Sequence, residues 1–430
     1  MDWIERDKNV IWHPYSQMKT IDDPIAIVKG EGSYLIDEEG NKYLDAISSW
    51  WVNLHGHSQK DIVERIHQQM LELEHVIFAG FTHPSAIELA EKLLAVVKLN
   101  QSKVFYSDNG STAVEIAVKM AIQYFLNQGI QKTKIIAFEE AFHGETFGAM
   151  AVSGPSVFND HFRKLCFEVI HIPLPQKGDE EKSFEAMKKA IEPGDVAAFI
   201  YEPLVQGAAG MRMYEPEALK KLMQMAKSAD VLCIADEVAV GFGRTGYLFA
   251  SHSVDISPDL MCFSKALTAG FLPLSITSCS EKIYQAFYDD DKLKTFYHGH
   301  SFTANPIGCA AALASLDLLL KAENLDKIQW LSKSHSDFVQ EIKDHPCIEN
   351  ARSTGTLFAF DVKTDSKGYL SSIRDDLYRF FMERGILLRP LGNVIYIFPP
   401  LSFNPKQLDR VYSAIREALL WLEAKQNDEN

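Results

Sequence analysis

The feature of this sequence that most constrains its fold is a repeated alternation of short apolar runs with amphipathic stretches, which begins near Lys103. The apolar runs have the length of buried strands, and the stretches between them have the apolar periodicity of helices. This alternation is typical of a mainly parallel sheet wrapped by helices, because parallel strands need a crossover between them. It predicts seven strands, at residues 104–106, 134–138, 167–172, 196–201, 231–235, 260–263 and 275–279. It predicts helices near residues 112–127, 180–191, 215–228 and 281–288.

The residues on either side of this alternation predict a second and smaller unit. Residues 25–46 alternate apolar and polar side chains around a turn, which indicates a hairpin or a small meander. Residues 325–424 indicate a mixture of helices and strands. We therefore predict an α/β protein in which a large domain holds the seven-stranded, mainly parallel sheet and a smaller domain is α+β. The expected divisions are an N-terminal arm with strands of the small domain (1–48), the large domain (49–324) and the C-terminal part of the small domain (325–430).

Composition limits the classes of partner that this chain would bind. Of its 430 residues, 47% are hydrophobic and 23% are charged, as in ordinary globular proteins. A formal net charge of -15 argues against nucleic acid or an anionic membrane as a partner. The six cysteines lack Cys-x-x-Cys spacing, so we expect reduced thiols. The first residues are charged and no apolar run approaches the length of a membrane span, so we expect a cytoplasmic protein.

Two strand ends carry the residues that point most directly to a chemistry. The strand at 231–235 is followed by Asp236, and the strand at 260–263 is followed by Ser264 and Lys265. Both strands are expected to end at the same edge of the sheet, where ligands bind in α/β folds. Pyridoxal phosphate chemistry requires a lysine that forms a Schiff base and a carboxylate that keeps the pyridine nitrogen protonated. We predict that Lys265 and Asp236 are catalytic and contact this cofactor.

Two nucleotide-binding alternatives fit the same stretch. Asp236 and Glu237 could be the magnesium-binding acids of a nucleotidase, but that interpretation needs a Gly-Lys phosphate loop, and no glycine in the chain is followed by lysine. Residues 241–246 match the dinucleotide pattern G-x-G-x-x-G. Their glycines lie several residues beyond the strand end and no helix clearly follows them, so this pattern is the weaker candidate.

Residues 107–115 predict an anion site between a strand and a helix. Thr112 and Glu115 have the spacing of a capping box, which indicates a helix that begins near them. The free backbone amides and the hydroxyl of Ser111 suit a cofactor phosphate. A second hydroxyl-rich turn at 297–303 could complete a cup around that phosphate.

Two more strand ends carry polar or aromatic side chains. Phe142 and His143 follow the strand at 134–138, where a flat side chain could stack on the pyridine ring. Glu202 and Gln206 follow the strand at 196–201 and could reach the ring substituents or a substrate amine. One cofactor at this edge would need all of these groups.

Two tryptophans at 50 and 51 are followed by a His-Gly-His motif at 55–57. Tryptophan pairs are usually part of a core. Two histidines without a third ligand nearby indicate a polar loop rather than a metal site. We predict no metal site.

The order of these motifs along the chain resembles the class III pyridoxal-phosphate aminotransferases. The motifs are Asn109-Gly-Ser, Phe142-His-Gly, Glu202-Pro, Asp236-Glu-Val, Gly241-Phe-Gly-Arg-Thr-Gly, Ser264-Lys265 and His298-Gly-His-Ser-Phe, and they span nearly the whole chain. The resemblance implies the fold-type I architecture of pyridoxal-phosphate enzymes and a homodimer whose active sites are built from both subunits. It implies that Gly110 and Ser111 hold the phosphate and that Ser301 reaches it from the other subunit.

Three further motifs resemble the members of this family that aminate 8-amino-7-oxononanoate (KAPA) to 7,8-diaminononanoate (DAPA) in biotin biosynthesis, commonly with S-adenosylmethionine as amino donor. They are Trp12-His-Pro-Tyr15, Ser48-Ser-Trp-Trp51 and Arg389-Pro-Leu-Gly-Asn-Val-Ile-Tyr396. The resemblance implies that Tyr15, Trp50 and Trp51 border the substrate tunnel and that Arg389 binds the substrate carboxylate.

This sequence departs from the pattern of those members at three positions. Phe142 stands where a tyrosine is frequent, Glu145 where aspartate is usual and Ser301 where threonine is usual. The first two departures leave lysine open as the amino donor instead of S-adenosylmethionine. A related aminotransferase that acts on ornithine, an omega-amino acid or a diamine is the main alternative, and a binding protein that lacks catalysis is another.

Overall fold

The computed structural model describes residues 3–364, 371 and 373–428. The strands are β1 (Ile27–Glu31), β2 (Tyr34–Asp37), β3 (Lys42–Asp45), β4 (Lys103–Ser107), β5 (Lys134–Phe138), β6 (Val169–Ile172), β7 (Val196–Tyr201), β8 (Val205–Gln206), β9 (Arg212–Met213), β10 (Leu232–Asp236), β11 (Leu260–Phe263), β12 (Ser275–Cys279), β13 (Ile348–Thr354), β14 (Leu357–Val362), β15 (Ile386–Leu387) and β16 (Val394–Ile397). The α-helices include Trp3–Val10, Lys60–Glu72, Pro84–Val97, Gly110–Leu126, Phe147–Val152, Glu180–Ile191, Pro216–Ser228, Glu281–Gln285, Pro306–Leu319, Ala322–Ile342, Ile373–Glu383 and Pro405–Asp428.

A seven-stranded sheet in the order β4-β12-β11-β10-β7-β5-β6 forms the centre of the molecule. Only β12 in this sheet runs against its neighbours, and the other pairs of adjacent strands are parallel. This sheet confirms the predicted α/β class and the seven predicted strands. The prediction was possible because strands that are buried on both faces have continuous apolar sequences. The largest error in their bounds is at β6, which begins at Val169 instead of residue 167.

Helices cover both faces of this sheet, as the alternation predicts. The helix Gly110–Leu126 packs against the sheet with side chains such as Val114, Ile116 and Phe125 fully buried or nearly so. The helix Pro306–Leu319 is buried almost all round. It therefore has no polar face, as expected of a helix that packs against several other helices.

The predicted capping box of Thr112 with Glu115 is wrong. The helix begins at Gly110, and its cap is Asn109, whose side chain accepts a hydrogen bond from the backbone N–H of Thr112 at 3.0 Å. Asn109 is extended directly before the first helical turn, so its short side chain reaches that amide. The carboxylate of Glu115 instead accepts hydrogen bonds from the backbone N–H groups of Gly148 and Ala149.

The remaining strands form sheets in the orders β1-β2-β3-β15 and β13-β14-β16 and the two-stranded sheet β8-β9. In the first of them β3 pairs in parallel with β15, with Leu44 opposite Ile386 and Asp45 opposite Leu387. The N-terminal meander and the C-terminal part of the chain thus share one sheet. This pairing supports the proposal that residues 1–48 and 325–430 form one small domain.

The dinucleotide-like motif at 241–246 lies in a series of turns, and no helix begins at its glycines. Its arginine, Arg244, is fully buried. The structure therefore does not support the dinucleotide alternative. None of the helices in the described part of the chain combines the length and apolarity that a bilayer crossing requires.

Candidate active site

A cavity of about 440 Å³ opens where the parallel strands of the central sheet end, which is the usual ligand site of α/β folds. The segments that follow β4, β5, β7, β10 and β11 all contribute to its wall. The predicted site residues that line it are Trp51, Gly110, Ser111, Phe142, His143, Glu202, Asp236 and Lys265. The structure therefore brings together eight residues from six separate parts of the sequence.

Lys265 and Asp236 reach the cavity from neighbouring strands. Asp236 is the last residue of β10 and is buried, and it is paired in register with Cys262 of β11, three residues before Lys265. Burial lowers the pKa of Lys265 from its ordinary value, while the negative charges of Asp236 and Glu202 oppose that shift. A lysine with a lowered pKa is neutral in a larger fraction of molecules and is thus a better nucleophile.

The carboxylate of Asp236 is held by two hydrogen bonds. Nδ1 of His143 lies 2.7 Å from Oδ2 of Asp236, and the backbone N–H of Val238 donates to its Oδ1 at 3.0 Å. The backbone N–H of His143 itself donates to the hydroxyl of Ser153. His143 lines the cavity, but its ring is turned towards Asp236, so it orients this carboxylate.

Glu202 holds the backbone that carries Phe142. Its Oε1 accepts a hydrogen bond from the N–H of Phe142 at 3.2 Å, and its Oε2 accepts one from the N–H of Gly207 at 2.9 Å. Burial raises the pKa of Glu202 to about 7. Gln206, which was predicted beside it, is not in the cavity wall and donates instead to the backbone carbonyl of Glu139.

The first residues of the helix Gly110–Leu126, where an anion site is predicted, lie in the wall of the cavity. A Cβ atom at Gly110 would lie 2.7 Å from Cγ1 of Val238, so the backbone approaches this wall more closely than alanine permits. The hydroxyl of Ser111 accepts a hydrogen bond from the N–H of Glu145 at 2.9 Å. Unpaired N–H groups at a helix start attract anions.

Tyr15, Trp50 and Arg389 lie together outside the first cavity. The ring of Trp50 lies 5.4 Å from the ring of Tyr15, and the guanidinium carbon of Arg389 lies 5.4 Å from the ring centre of Trp50. Tyr15 and Arg389 line a second cavity of about 620 Å³. Trp51 lines the first cavity, where Nζ of Lys265 lies 4.7 Å from its ring centre. Trp51 thus lines the first cavity, and its neighbour Trp50 contacts two residues that line the second.

Phe158 contacts two of the predicted site residues, and the sequence did not reveal it. Its ring lies 5.5 Å from that of Tyr15 and 6.3 Å from that of Phe142. It follows Gly154-Pro155 in a loop without helical or strand periodicity, so only its aromatic character in a polar loop could have drawn attention to it.

Ser301 is exposed and does not line the cavity of its own chain. Its predicted contact with a cofactor phosphate was expected across a subunit interface. That contact remains a prediction.

The residues around the first cavity fit pyridoxal phosphate. They supply a buried lysine, an oriented carboxylate, the flat side chain of Phe142 and the N-terminus of a helix. That helix begins at Gly110, where a residue with a Cβ atom would displace Val238. These are the groups that bind an amine-accepting aldehyde, a pyridine ring and a phosphate. The volume of the cavity lies in the range of small-molecule sites.

Comparisons with known proteins identify the family of this chain. The sequence model of the family described as Aminotransferase class-III matches residues 16–419. The adenosylmethionine-8-amino-7-oxononanoate aminotransferase of Synechococcus elongatus is 48% identical over 417 residues, which cover 95% of this chain and 98% of the relative.

Solved structures are similar over the same length. The crystal structure of the adenosylmethionine-8-amino-7-oxononanoate aminotransferase of Methanocaldococcus jannaschii has a TM-score of 0.90 and 37% identity, and covers 96% of this chain and 98% of its own. The amine transaminase of an uncultivated Pseudomonas species, solved in its PLP-bound form, has a TM-score of 0.90, 26% identity and coverages of 96% and 98%. The chain therefore belongs to the class III aminotransferases, and its cofactor is pyridoxal phosphate.

Proposed function

We propose that this protein transfers the amino group of S-adenosylmethionine to KAPA and forms DAPA, a step of biotin biosynthesis. The names of its relatives support this substrate pair. The structural observation that carries the proposal is the position of Arg389. Among the described residues it has no acidic partner, and its guanidinium lies against Trp50 at the wall of the second cavity. A cation beside an aromatic ring in a cavity wall suits a long alkyl chain that ends in a carboxylate.

When bound, pyridoxal phosphate supplies an aldehyde for the amino group and a ring that withdraws electrons from the reacting carbon. In our proposal the helix start at Gly110 and Ser111 holds its phosphate and Phe142 covers a face of its ring. Asp236, oriented by His143, keeps a proton on the ring nitrogen. Glu202 fixes the backbone of Phe142, as its hydrogen bond to that N–H indicates.

Lys265 has two tasks in this proposal. Its amine holds the cofactor covalently between turnovers, and when released it moves a proton at the reacting carbon. The lowered pKa of Lys265 suits both tasks, because a neutral amine is the form that acts as nucleophile and base. The face of Trp51, 4.7 Å from Nζ, limits the access of water to this amine.

The two substrates would use the same entrance in turn. Arg389 binds the carboxylate of KAPA, and its alkyl chain runs past Tyr15 and Trp50. The ring of Trp50 also suits a sulfonium cation, which an aromatic face stabilises by about 0.5 to 2 kcal/mol. Phe142 has no hydroxyl for a donor to contact, so lysine is the donor to test against S-adenosylmethionine.

We also propose a homodimer in which Ser301 of one subunit contacts the phosphate in the other. Support comes from large apolar side chains that are exposed near Ser301, namely Tyr288, Leu293, Tyr297 and Phe302, of which Leu293 is 83% exposed. Apolar surface of this kind is commonly covered by a partner.

We also propose that the protein is cytoplasmic. All six cysteines are free thiols, which supports the cytoplasm as the compartment.

The test is to incubate purified protein with KAPA and either S-adenosylmethionine or lysine, and to measure DAPA by mass spectrometry. We expect DAPA with S-adenosylmethionine and little with lysine, and the cofactor absorbance should change when S-adenosylmethionine is added alone. If DAPA forms with lysine but not with S-adenosylmethionine, lysine is the amino donor. No DAPA with either donor, together with cofactor conversion by ornithine, 4-aminobutyrate or a diamine, would overturn the proposal in favour of another aminotransferase.

A further inference from the structure

The tryptophan turn, residues Ser48–Trp51, has a backbone that its sequence does not favour. Ser48, Ser49 and Trp51 have φ values of 52°, 60° and 65°, and Ser49 combines its φ with a ψ of -80°. None of these residues is glycine, and residues with a Cβ rarely adopt such angles. A conformation of this kind persists only where its surroundings impose it, and it is most frequent at functional sites.

The carboxylate of Asp45 holds the middle of this turn. Its Oδ1 accepts hydrogen bonds from the N–H of Ser49 at 2.8 Å and of Ile47 at 3.3 Å. Its Oδ2 accepts one from the hydroxyl of Ser49 at 2.9 Å and lies 2.9 Å from Nε2 of His57. Asp45 is fully buried, so these four contacts are not exchanged with water.

His57, the second histidine of the His-Gly-His motif, orients Asp45. Asn53 donates from its side-chain N–H to Nδ1 of His57 at 2.9 Å, which leaves the proton on Nε2 for Asp45. The backbone of His57 exchanges two hydrogen bonds with that of Gly32. A Cβ at Gly30 would lie 2.7 Å from Cβ of His57, so the meander closes tightly over this side chain.

The first residue of the turn, Ser48, is held by other contacts. The hydroxyl of Ser48 donates to the backbone carbonyl of Phe398 at 2.7 Å and accepts a hydrogen bond from the guanidinium of Arg244 at 3.1 Å. With the start and the middle of the turn held in this way, Trp51 lies against Lys265 and Trp50 lies against Arg389.

We propose that Asp45, oriented by His57, is a positioning residue that imposes the strained turn and thereby places Trp50 and Trp51 for substrate binding. It acts through the tryptophans and touches neither cavity. The identity of the substrate rests on the proposed function, whereas the control of the turn by Asp45 does not.

The test variant is Asp45→Asn, in which an N–H2 group replaces the oxygen that accepts from Ser49 and His57. Asp37→Asn is the matched control. Asp37 is a buried aspartate of the same meander that also accepts four hydrogen bonds, from Glu39, twice from Asn41 and from Tyr43, but it lies away from the turn. Both variants are compared as holoenzymes, by hydrogen exchange of residues 47–53 and by steady-state kinetics.

We expect Asp45→Asn to speed exchange in residues 47–53 by about tenfold or more, because the turn opens without its acceptor. We expect its KM for KAPA to rise by about tenfold to a hundredfold, since a small displacement of positioning groups has effects of that size. Asp37→Asn should change neither quantity. In the Asp45→Asn background, Ser49→Gly should recover part of the loss in KM, because glycine adopts the required φ without strain.

Unchanged exchange and unchanged KM in Asp45→Asn would overturn the inference. Equal changes in Asp45→Asn and Asp37→Asn would also overturn it, since they would indicate a general loss of stability. If the wild-type protein does not aminate KAPA, the proposed function fails, and the exchange comparison still decides the role of Asp45.

Discussion

His143 and Asp236 form a hydrogen-bonded pair, with Nδ1 of the histidine 2.7 Å from Oδ2 of the aspartate, at the base of the cofactor cavity. The pair is buried, so the carboxylate cannot exchange this contact for water. An aspartate that is held in this way keeps its direction towards the cavity.

Asp236→Asn should reduce kcat by about a thousandfold or more, because the amide cannot stabilise a proton on the ring nitrogen, and each ~1.4 kcal/mol is tenfold in rate. His143→Gln should cost about tenfold to a hundredfold, as for other groups that orient a ligand. Single-turnover rates with bound cofactor provide the measurement. An effect of His143→Gln as large as that of Asp236→Asn would contradict the supporting role of the histidine.

Lys265→Ala should abolish turnover and leave a protein that binds the cofactor without a covalent bond. Treatment with borohydride followed by peptide mapping is the measurement. The cofactor should be attached to the peptide that contains Lys265 in the wild type, and to no peptide in the variant. Attachment at any other lysine in the wild type would refute the assignment.

Arg389→Ala should weaken KAPA binding by about 1.5 to 3 kcal/mol, the usual worth of a charge-assisted contact. Conversion of the cofactor by S-adenosylmethionine alone should change much less. Arg379→Ala is the control, because Arg379 lines the same second cavity but is paired with Asp22 and Asp376. Equal losses for both arginines, or a lower melting temperature with unchanged KAPA affinity, would show that Arg389 is structural.

Gly110→Ala should lower the affinity for pyridoxal phosphate by about tenfold or more, because the new Cβ would meet Cγ1 of Val238 at 2.7 Å. The double variant Gly110→Ala/Val238→Ala should recover most of that affinity, since it removes the clashing methyl groups and keeps the backbone N–H that contacts Asp236. Titration of the apoprotein with cofactor provides the measurement. A double variant as weak as Gly110→Ala would disprove the steric explanation.

Stability should depend on pH through Glu237. Burial raises the pKa of this carboxyl from its ordinary value of 4.5 to about 7. The folded protein then holds a proton that the unfolded chain has lost, so the free energy of unfolding falls as the pH rises from 4.5 to about 7. Glu237→Gln does not titrate, so its melting temperature should fall less than that of the wild type between pH 5 and pH 8. Parallel curves for the two proteins would count against this effect.

The central sheet and the first cavity followed from the sequence because both depend on local patterns. Apolar runs marked the strands, and Asp236 and Lys265 stand directly after two of them, so the parallel pairing alone brings them together. Phe158 and the contact of Asp45 with the tryptophan turn had no such signal. They depend on how loops fold over one another, and a loop carries no periodicity that reports its contacts. The cap of the helix that begins at Gly110 was predicted at the wrong residue for a different reason. The pairs Asn109–Thr112 and Thr112–Glu115 have the same spacing, so spacing alone does not distinguish them.

The pairing of β3 with β15 places Asp45 opposite Leu387, two residues before Arg389. The strand before the tryptophan turn, β3, and the strand before Arg389, β15, are therefore hydrogen-bonded neighbours in one sheet. If this sheet shifts against the central sheet and carries the tryptophan turn with it, Trp50 and Arg389 keep their spacing, while the distance from Trp51 to Lys265 changes. Such a shift would keep the contacts to the carboxylate end of a substrate and would change only the position of its reacting end relative to Lys265.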